Sequence, residues 1–173
     1  AAPARRADKT SAAVGNGVIA QIVSGGQTGV DRAALDAALE CGFPCGGWCP
    51  RGRLAEDGPI PARYPVRELD APGYPARTVR NVRDSDGTLI LQRGGQDRGT
   101  GLTERTAEQE GRPLLVVDLA RVSPAEAAGL VVQWVCAHQI QVLNVAGPRE
   151  SSQPGIHALA LAVMRRVVAA CRA

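Results

Sequence analysis

The sequence predicts an open α/β fold, a doubly wound parallel sheet with helices on both faces. Three observations predict it. Strong apolar runs (residues 18–23, 87–91, 114–117 and 140–145) read as strands buried on both faces, as parallel strands are. Segments of helical period separate them, the alternation of a sheet crossed over by helices. Polar, glycine-bearing loops follow Val23, Leu91 and Val145, at the carboxyl ends of strands, where such folds bind ligands.

The first strand, Val18 to Val23, meets the turn Ser24-Gly25-Gly26-Gln27-Thr28-Gly29. A helix then carries Val30, Ala33, Ala34, Ala37 and Ala38 on one face and stops near Cys41-Gly42. Phe43 to Trp48 reads as a short strand and Cys49 to Gly58 as a polar loop. Five prolines between Pro59 and Pro75 keep the next stretch extended or turned, with Val66 to Leu69 as a short strand. Ala76 to Arg83 reads as a helix leading into the buried strand Gly87 to Leu91. After the loop Arg93 to Gly101, a helix runs from about Leu102 to Glu110. The strand Leu114 to Val117 follows. Ser123, with Pro124 and Glu126 behind it, caps a helix that reaches about His138. Ile140 to Val145 is the last strand, and Ile156 to Cys171 the last helix.

The chain has 173 residues, enough for one domain and one sizeable core. Residues 1–17 are polar and Ala-rich, without the apolar stretch of a signal peptide, and read as a flexible arm before a single domain over 18–173. No apolar run approaches the roughly 18 residues needed to span a bilayer. Aromatics are only 3%, so Ala, Val, Leu and Ile must build the core. The net charge of +3 suits a small anionic ligand; scattered Arg and scarce aromatics make no case for nucleic acid. Five cysteines, an odd number, suggest free thiols and a cytoplasmic setting.

Strand, glycine turn and helix N-terminus in that order make an anion cradle: orphan backbone N–H groups point outward and the helix dipole adds partial positive charge. In the first loop this assigns Ser24, Gly25, Gly26, Gln27, Thr28 and Gly29 to the binding site. The second loop contributes Gly94, Gly99, Thr100 and Thr103. The third contributes Asn144, Arg149 and Ser151, with Arg149 suited to bidentate contact with an oxyanion. Arg51 sits in the loop after Trp48. Asp84 and Asp86 fit either Mg²⁺ ligands or a capped turn, and the turn is the expectation. Cys41, Cys45 and Cys49 lack the C-x-x-C pair and nearby His of a zinc site. Neither His138 nor His157 has a partner at a catalytic spacing, so no metal site and no catalytic residue is assigned.

The string S-G-G-Q-T-G-V-D-R-A-A-L-D at residues 24–36 resembles the opening of the molybdenum cofactor carrier proteins, a branch of the Rossmann-like superfamily that includes the LONELY GUY (lysine-decarboxylase-like) enzymes. Further blocks resemble the same family: Gly46 to Arg53, Ala55 to Gly58, Asn81 to Ile90 and Leu143 to Ser151. The resemblance implies a Rossmann-like fold, homo-oligomers, and binding of the molybdenum cofactor (molybdopterin) or molybdate, with molybdoenzymes as recipients.

Three functions compete at this point. One is a non-catalytic carrier that binds and protects the molybdenum cofactor. The second is a nucleoside-5′-monophosphate phosphoribohydrolase of the LONELY GUY kind, and the third a nucleotide-binding sensor. The LONELY GUY enzymes carry G-G-x-G-T-x-x-E in the second loop. Setting Gly99-Thr100 on their Gly-Thr puts Thr103 where their Glu stands. Glu104 is then turned about 100° away along a helix. A hydroxyl can donate to an anion but cannot act as an ionised carboxylate, which favours the carrier. The helices Pro124 to His138 and Ile156 to Ala170 carry long apolar faces, and Trp134 is the expected anchor of an oligomer interface.

Overall fold

A computed structural model describes residues 19–95 and 98–172; the expected arm, 1–17, lies outside the described residues. The elements in chain order are β1 (Gln21–Val23), α1 (Val30–Glu40), β2 (Cys45–Gly46), β3 (Trp48–Cys49), β4 (Leu54–Ala55), β5 (Gly58–Pro59), β6 (Arg67–Glu68), α2 (Tyr74–Arg83), β7 (Gly87–Gln92), α3 (Arg98–Gln109), β8 (Leu114–Asp118), α4 (Pro124–His138), β9 (Val142–Ala146) and α5 (Ile156–Cys171). Five strands form one parallel sheet in the order β2-β1-β9-β7-β8. Helices α1, α5 and α4 pack side by side on one face, and α2 packs with α3 on the other. This is the doubly wound, Rossmann-like arrangement. Among the described residues, no helix is long and apolar enough to cross a membrane.

The main core lies between the sheet and the α1–α5–α4 layer. Ala33, Ala34 and Ala37 of α1 are buried there with Val163, Met164 and Val167 of α5. Small alanines let α1 approach the sheet closely, which suits a chain with few aromatics. On β9, Leu143 and Val145 belong to this core. Side chains alternate along a strand, so Asn144 is turned to the α2–α3 face. There its Nδ2 donates to Thr88 Oγ1 at 3.2 Å, across the Thr88–Asn144 register of β7 and β9.

The expected strand over Phe43 to Trp48 is split. Cys45–Gly46 pairs with β1, while Trp48–Cys49 leaves the sheet and pairs with β6. Gly47 makes the break: its φ is 128°, and a Cβ there would collide with the backbone of Ser24. The expected polar loop after Cys49 contains structure too short for periodicity to reveal. Arg51–Arg53 is a 3₁₀ turn, and β4 and β5 form a hairpin with Glu56 and Asp57 at its tip. Arg53 pins the following segment by donating to the carbonyls of Ile60, Pro61, Tyr64 and Val66. The hairpin covers a second cluster of Leu35, Cys49, Ala55, Ile60, Tyr64 and Val66. Burial there pushes the Cys49 thiol up from its ordinary range.

Helix α3 begins at Arg98, a turn earlier than expected, and α2 at Tyr74. The N-terminus of α4 follows expectation. Ser123 Oγ accepts from Glu126 N and Glu126 Oε2 accepts from Ser123 N, a reciprocal capping box. Asp84 and Asp86 serve as turn and tether groups. Asp84 accepts from Trp48 Nε1 and Arg80 Nε, and Asp86 from the backbone of Gln141 and Val142. Trp134 is half-buried and packs inward, its ring close to Gly87 and Ile140. The exposed large apolar residue of α4 is Leu130.

Candidate anion site

A cavity of about 260 Å³ opens at the carboxyl ends of β1 and β9, under the α2–α3 layer. The first loop contributes Gly25 and Gln27, and α1 contributes Asp31. Thr100 and Thr103 come from α3, and Asn144 and Arg149 from β9 and the loop after it. The fourth wall is the polar stripe of α2: Tyr74, Arg77, Thr78 and Asn81, spaced i, i+3, i+4 and i+7.

Arg77 and Asp31 form a nearly buried ion pair at 2.8 Å, with side chains 12% and 7% exposed. Asp31 Oδ2 also accepts from the N–H of Gln27 at 3.3 Å. Burial raises the Asp31 carboxyl above its ordinary range, and the Arg77 guanidinium pulls the other way. Gly25 makes room for this pair. A Cβ there would overlap Arg77 Nη1 and stand 2.9 Å from Asp31 Oδ2. Tyr74 carries a guanidinium near its ring twice over: Arg77 at 5.6 Å and Arg149 at 5.3 Å from the centroid.

Two residues of the lining each carry a buried donor without a partner, Gln27 Nε2 and Arg77 Nε. The rest of the Gln27 amide is engaged, with Oε1 accepting from Thr28 N at 3.0 Å and Glu56 N at 2.9 Å. Buried donors are almost always paired, so two orphans on one cavity point to an acceptor that belongs there.

Six residues singled out from the sequence therefore line the cavity: Gly25, Gln27, Thr100, Thr103, Asn144 and Arg149. Others stand behind or beside it. Ser24 Oγ donates to the Val145 carbonyl at 2.6 Å, which ties β1 to β9 and occupies the hydroxyl. Gly26 faces the hairpin rather than the cavity, since a Cβ there would stand 2.9 Å from Ile60 Cδ1. Gly29 lies against the Pro148 carbonyl at the start of α1. Thr28 and Ser151 both donate their hydroxyls to the Glu56 carboxylate. The Gly94 N–H donates to Asp118 at 2.8 Å. Arg51 is on the surface, paired with Asp70 at 2.5 Å. Gly99 falls in the first turn of α3, and its surroundings lie outside the described residues. Glu104, next to Thr103, is not part of the lining.

Sequence reasoning missed Arg77, Tyr74 and Asn81. The signal that could have found them is the i, i+3, i+4, i+7 polar stripe on a helix whose only buried apolar residue is Val82.

Comparison with known proteins shows the family and the fold. Residues 22–168 match the family described as "cpYpsA: Circularly permutated YpsA SLOG family". A crystal structure titled "Putative molybdenum carrier protein", from Syntrophus aciditrophicus SB, is 47% identical. It superimposes with a TM-score of 0.85 over 87% of this chain and 96% of that one. No protein with a curated description matches the chain.

Proposed function

The chain belongs to the circularly permutated YpsA SLOG family, and on that premise we propose that it is a carrier, holding the molybdenum cofactor or its oxyanionic head without turning it over. One observation carries the reading: two residues that line one cavity, Gln27 and Arg77, each hold a buried donor without a partner, Nε2 and Nε. Each such orphan costs about 1–3 kcal/mol, and a ligand rich in acceptors removes that cost.

The lining fits an oxyanion. Arg77, Arg149 and the Gln27 amide offer N–H donors, and Asn144, Thr100 and Thr103 supply small polar side chains around them. Asp31 offsets one of the two guanidinium charges, so positive charge remains for the ligand. At about 260 Å³ the cavity is slightly smaller than a typical small-molecule pocket of roughly 300 Å³ or more. It holds a phosphate or molybdate group and its nearest substituent, with the body of a larger cofactor at the mouth. Tetrahedral oxyanions of either kind present the acceptors these donors need. The solved relative's name, which gives molybdenum carriage for that protein, supports the choice of cargo. In this reading the carrier is cytoplasmic, forms a homo-oligomer and hands its cargo to molybdoenzymes.

The hydrolase alternative needs a carboxylate where Thr103 lines the cavity, and Glu104 lies outside the lining. Two measurements test the proposal together. Native mass spectrometry with metal analysis should find a molybdenum-containing pterin on the protein purified from its host. Titration with molybdate should show binding that Arg77→Ala abolishes. Release of free base from AMP, lost in Glu104→Gln, would replace the carrier by an enzyme; a bound nucleotide without turnover would replace it by a sensor.

A further inference from the structure

The carboxylate of Glu56 rests on three donors from two other loops. It accepts from the hydroxyl of Thr28, from the hydroxyl of Ser151, and from the Ser151 N–H at 3.2 Å. Thr28 belongs to the turn between β1 and α1, and Ser151 to the loop after β9. Backbone N–H and hydroxyl groups converging on one point are the donor set of an oxyanion site. Gln27, next to Thr28, and Arg149, two residues before Ser151, line the cavity.

We propose that Thr28 and Ser151 form a second oxyanion subsite beside the cavity, filled by Glu56 as a built-in competitor until a tetrahedral oxyanion such as phosphate or molybdate displaces it. The inference rests on the carrier reading of the adjoining cavity and adds a subsite and a gate to it.

Three features make the exchange feasible. Glu56 is exposed, so its carboxylate passes into water without a burial penalty. It sits at the tip of the β4–β5 hairpin, which has other anchors. Asp57 makes a two-bond pair with Arg32, at 2.5 and 2.7 Å, and Ile60 is buried in the second cluster. Glu56 can therefore swing out while Asp57 and Ile60 keep the hairpin on the domain, its tip loosened by the loss of the carboxylate's three bonds. Gln27 links the two positions independently of the carboxylate: its Oε1 accepts the Glu56 N–H, while its Nε2 is buried and unpartnered. The Arg149 charge acts on the Glu56 carboxylate as well, so the same guanidinium serves the cavity and the rim.

A structural clasp and a competitor predict opposite results for Glu56→Gln. Removing a clasp leaves oxyanion binding unchanged or weaker; removing a competitor strengthens it. Isothermal titration with orthophosphate and with molybdate, at pH 7 and fixed ionic strength, should give about ten-fold tighter binding for Glu56→Gln, equivalent to about 1.4 kcal/mol. Asp70→Asn, which removes a negative charge far out on the surface, should bind as the wild type does. In the wild-type protein, saturating phosphate should speed hydrogen exchange of residues 54–58. Unchanged or weaker binding by a Glu56→Gln protein that unfolds at the wild-type temperature overturns the proposal. If that variant does not fold, exchange decides: hairpin protection unchanged or increased by phosphate overturns it. Wild-type binding that is lost in Arg77→Ala, with no gain in Glu56→Gln, removes only the subsite. No oxyanion binding by any of these proteins removes the carrier reading and the subsite with it.

Discussion

The guanidinium of Arg77 fills the space that a side chain on Gly25 would need, and from there its Nη1 donates to Asp31 Oδ2 at 2.8 Å. The first glycine of the loop thus serves a side chain 52 positions away as well as any ligand. Gly25→Ala should displace Arg77 and leave Asp31 buried without its partner. Breaking a buried pair from one side costs about 3–5 kcal/mol, so chemical denaturation should show a loss of that order. Arg77→Ala should show a similar loss. Wild-type stability in Gly25→Ala would mean that Arg77 has another place to go.

Arg149 stands half-buried beside Tyr74, and among the described residues no carboxylate pairs with its guanidinium. A charge-assisted hydrogen bond to a bound oxyanion is worth about 1.5–3 kcal/mol. Arg149→Ala should weaken molybdate or phosphate binding about ten-fold or more, and Arg149→Lys should recover only part, because a lysine lacks the planar fork. Titration calorimetry reads both; a variant that loses stability but keeps its affinity would give Arg149 a structural role.

A pH effect is built around Tyr64. Its hydroxyl donates to Asp36 Oδ1 at 2.8 Å, and Asp36 Oδ2 lies 2.8 Å from His157 Nε2. Burial and the Asp36 carboxylate push the Tyr64 hydroxyl up to about 12, from 10.0. The unfolded chain loses this proton first, so the stabilisation is complete below about pH 10 and lost as pH rises to about 12. Denaturation midpoints measured from pH 9 to 12 should fall more steeply for the wild type than for Tyr64→Phe. Parallel curves would contradict the raised value.

The capping box at the start of α4 offers a test of local structure alone. Ser123→Ala removes the acceptor for Glu126 N and should cost about 1 kcal/mol in thermal or chemical unfolding. Oxyanion affinity should stay as it was, since neither residue lines the cavity.

The proposed oligomer calls for an exposed apolar contact on α4. Trp134, the anticipated anchor, is packed inward against β7, and Leu130, 45% exposed, is the large apolar residue that α4 turns outward. Sedimentation at micromolar concentration should find a species heavier than the 18.0 kDa chain. Leu130→Glu should shift it towards the monomer if α4 forms the interface. A monomer alone in the wild type would remove the oligomer.

What could be read in the sequence was local. Apolar runs near 87–92 and 142–146 are strands because they are buried on both faces, and the Ser123–Glu126 spacing is a helix start because its partners are three residues apart. The first loop is recognisable because glycines, strand and helix follow one another without a gap. Asn144 is legible too, since Leu143 and Val145 claim one face and alternation leaves it the other.

The tertiary structure decided which of the polar groups are available to a ligand. Ser24, Thr28 and Ser151 look alike as donors, yet a carbonyl on β9 takes the first and the Glu56 carboxylate takes the other two. Nothing near them in sequence announces those partners, which lie up to 121 positions away. Arg77 reaches the cavity only because α2 folds over the ends of β1 and β9. Periodicity fixes the face on which a side chain stands; the acceptor it meets there depends on how distant elements pack, and that decides whether a donor is left for a ligand.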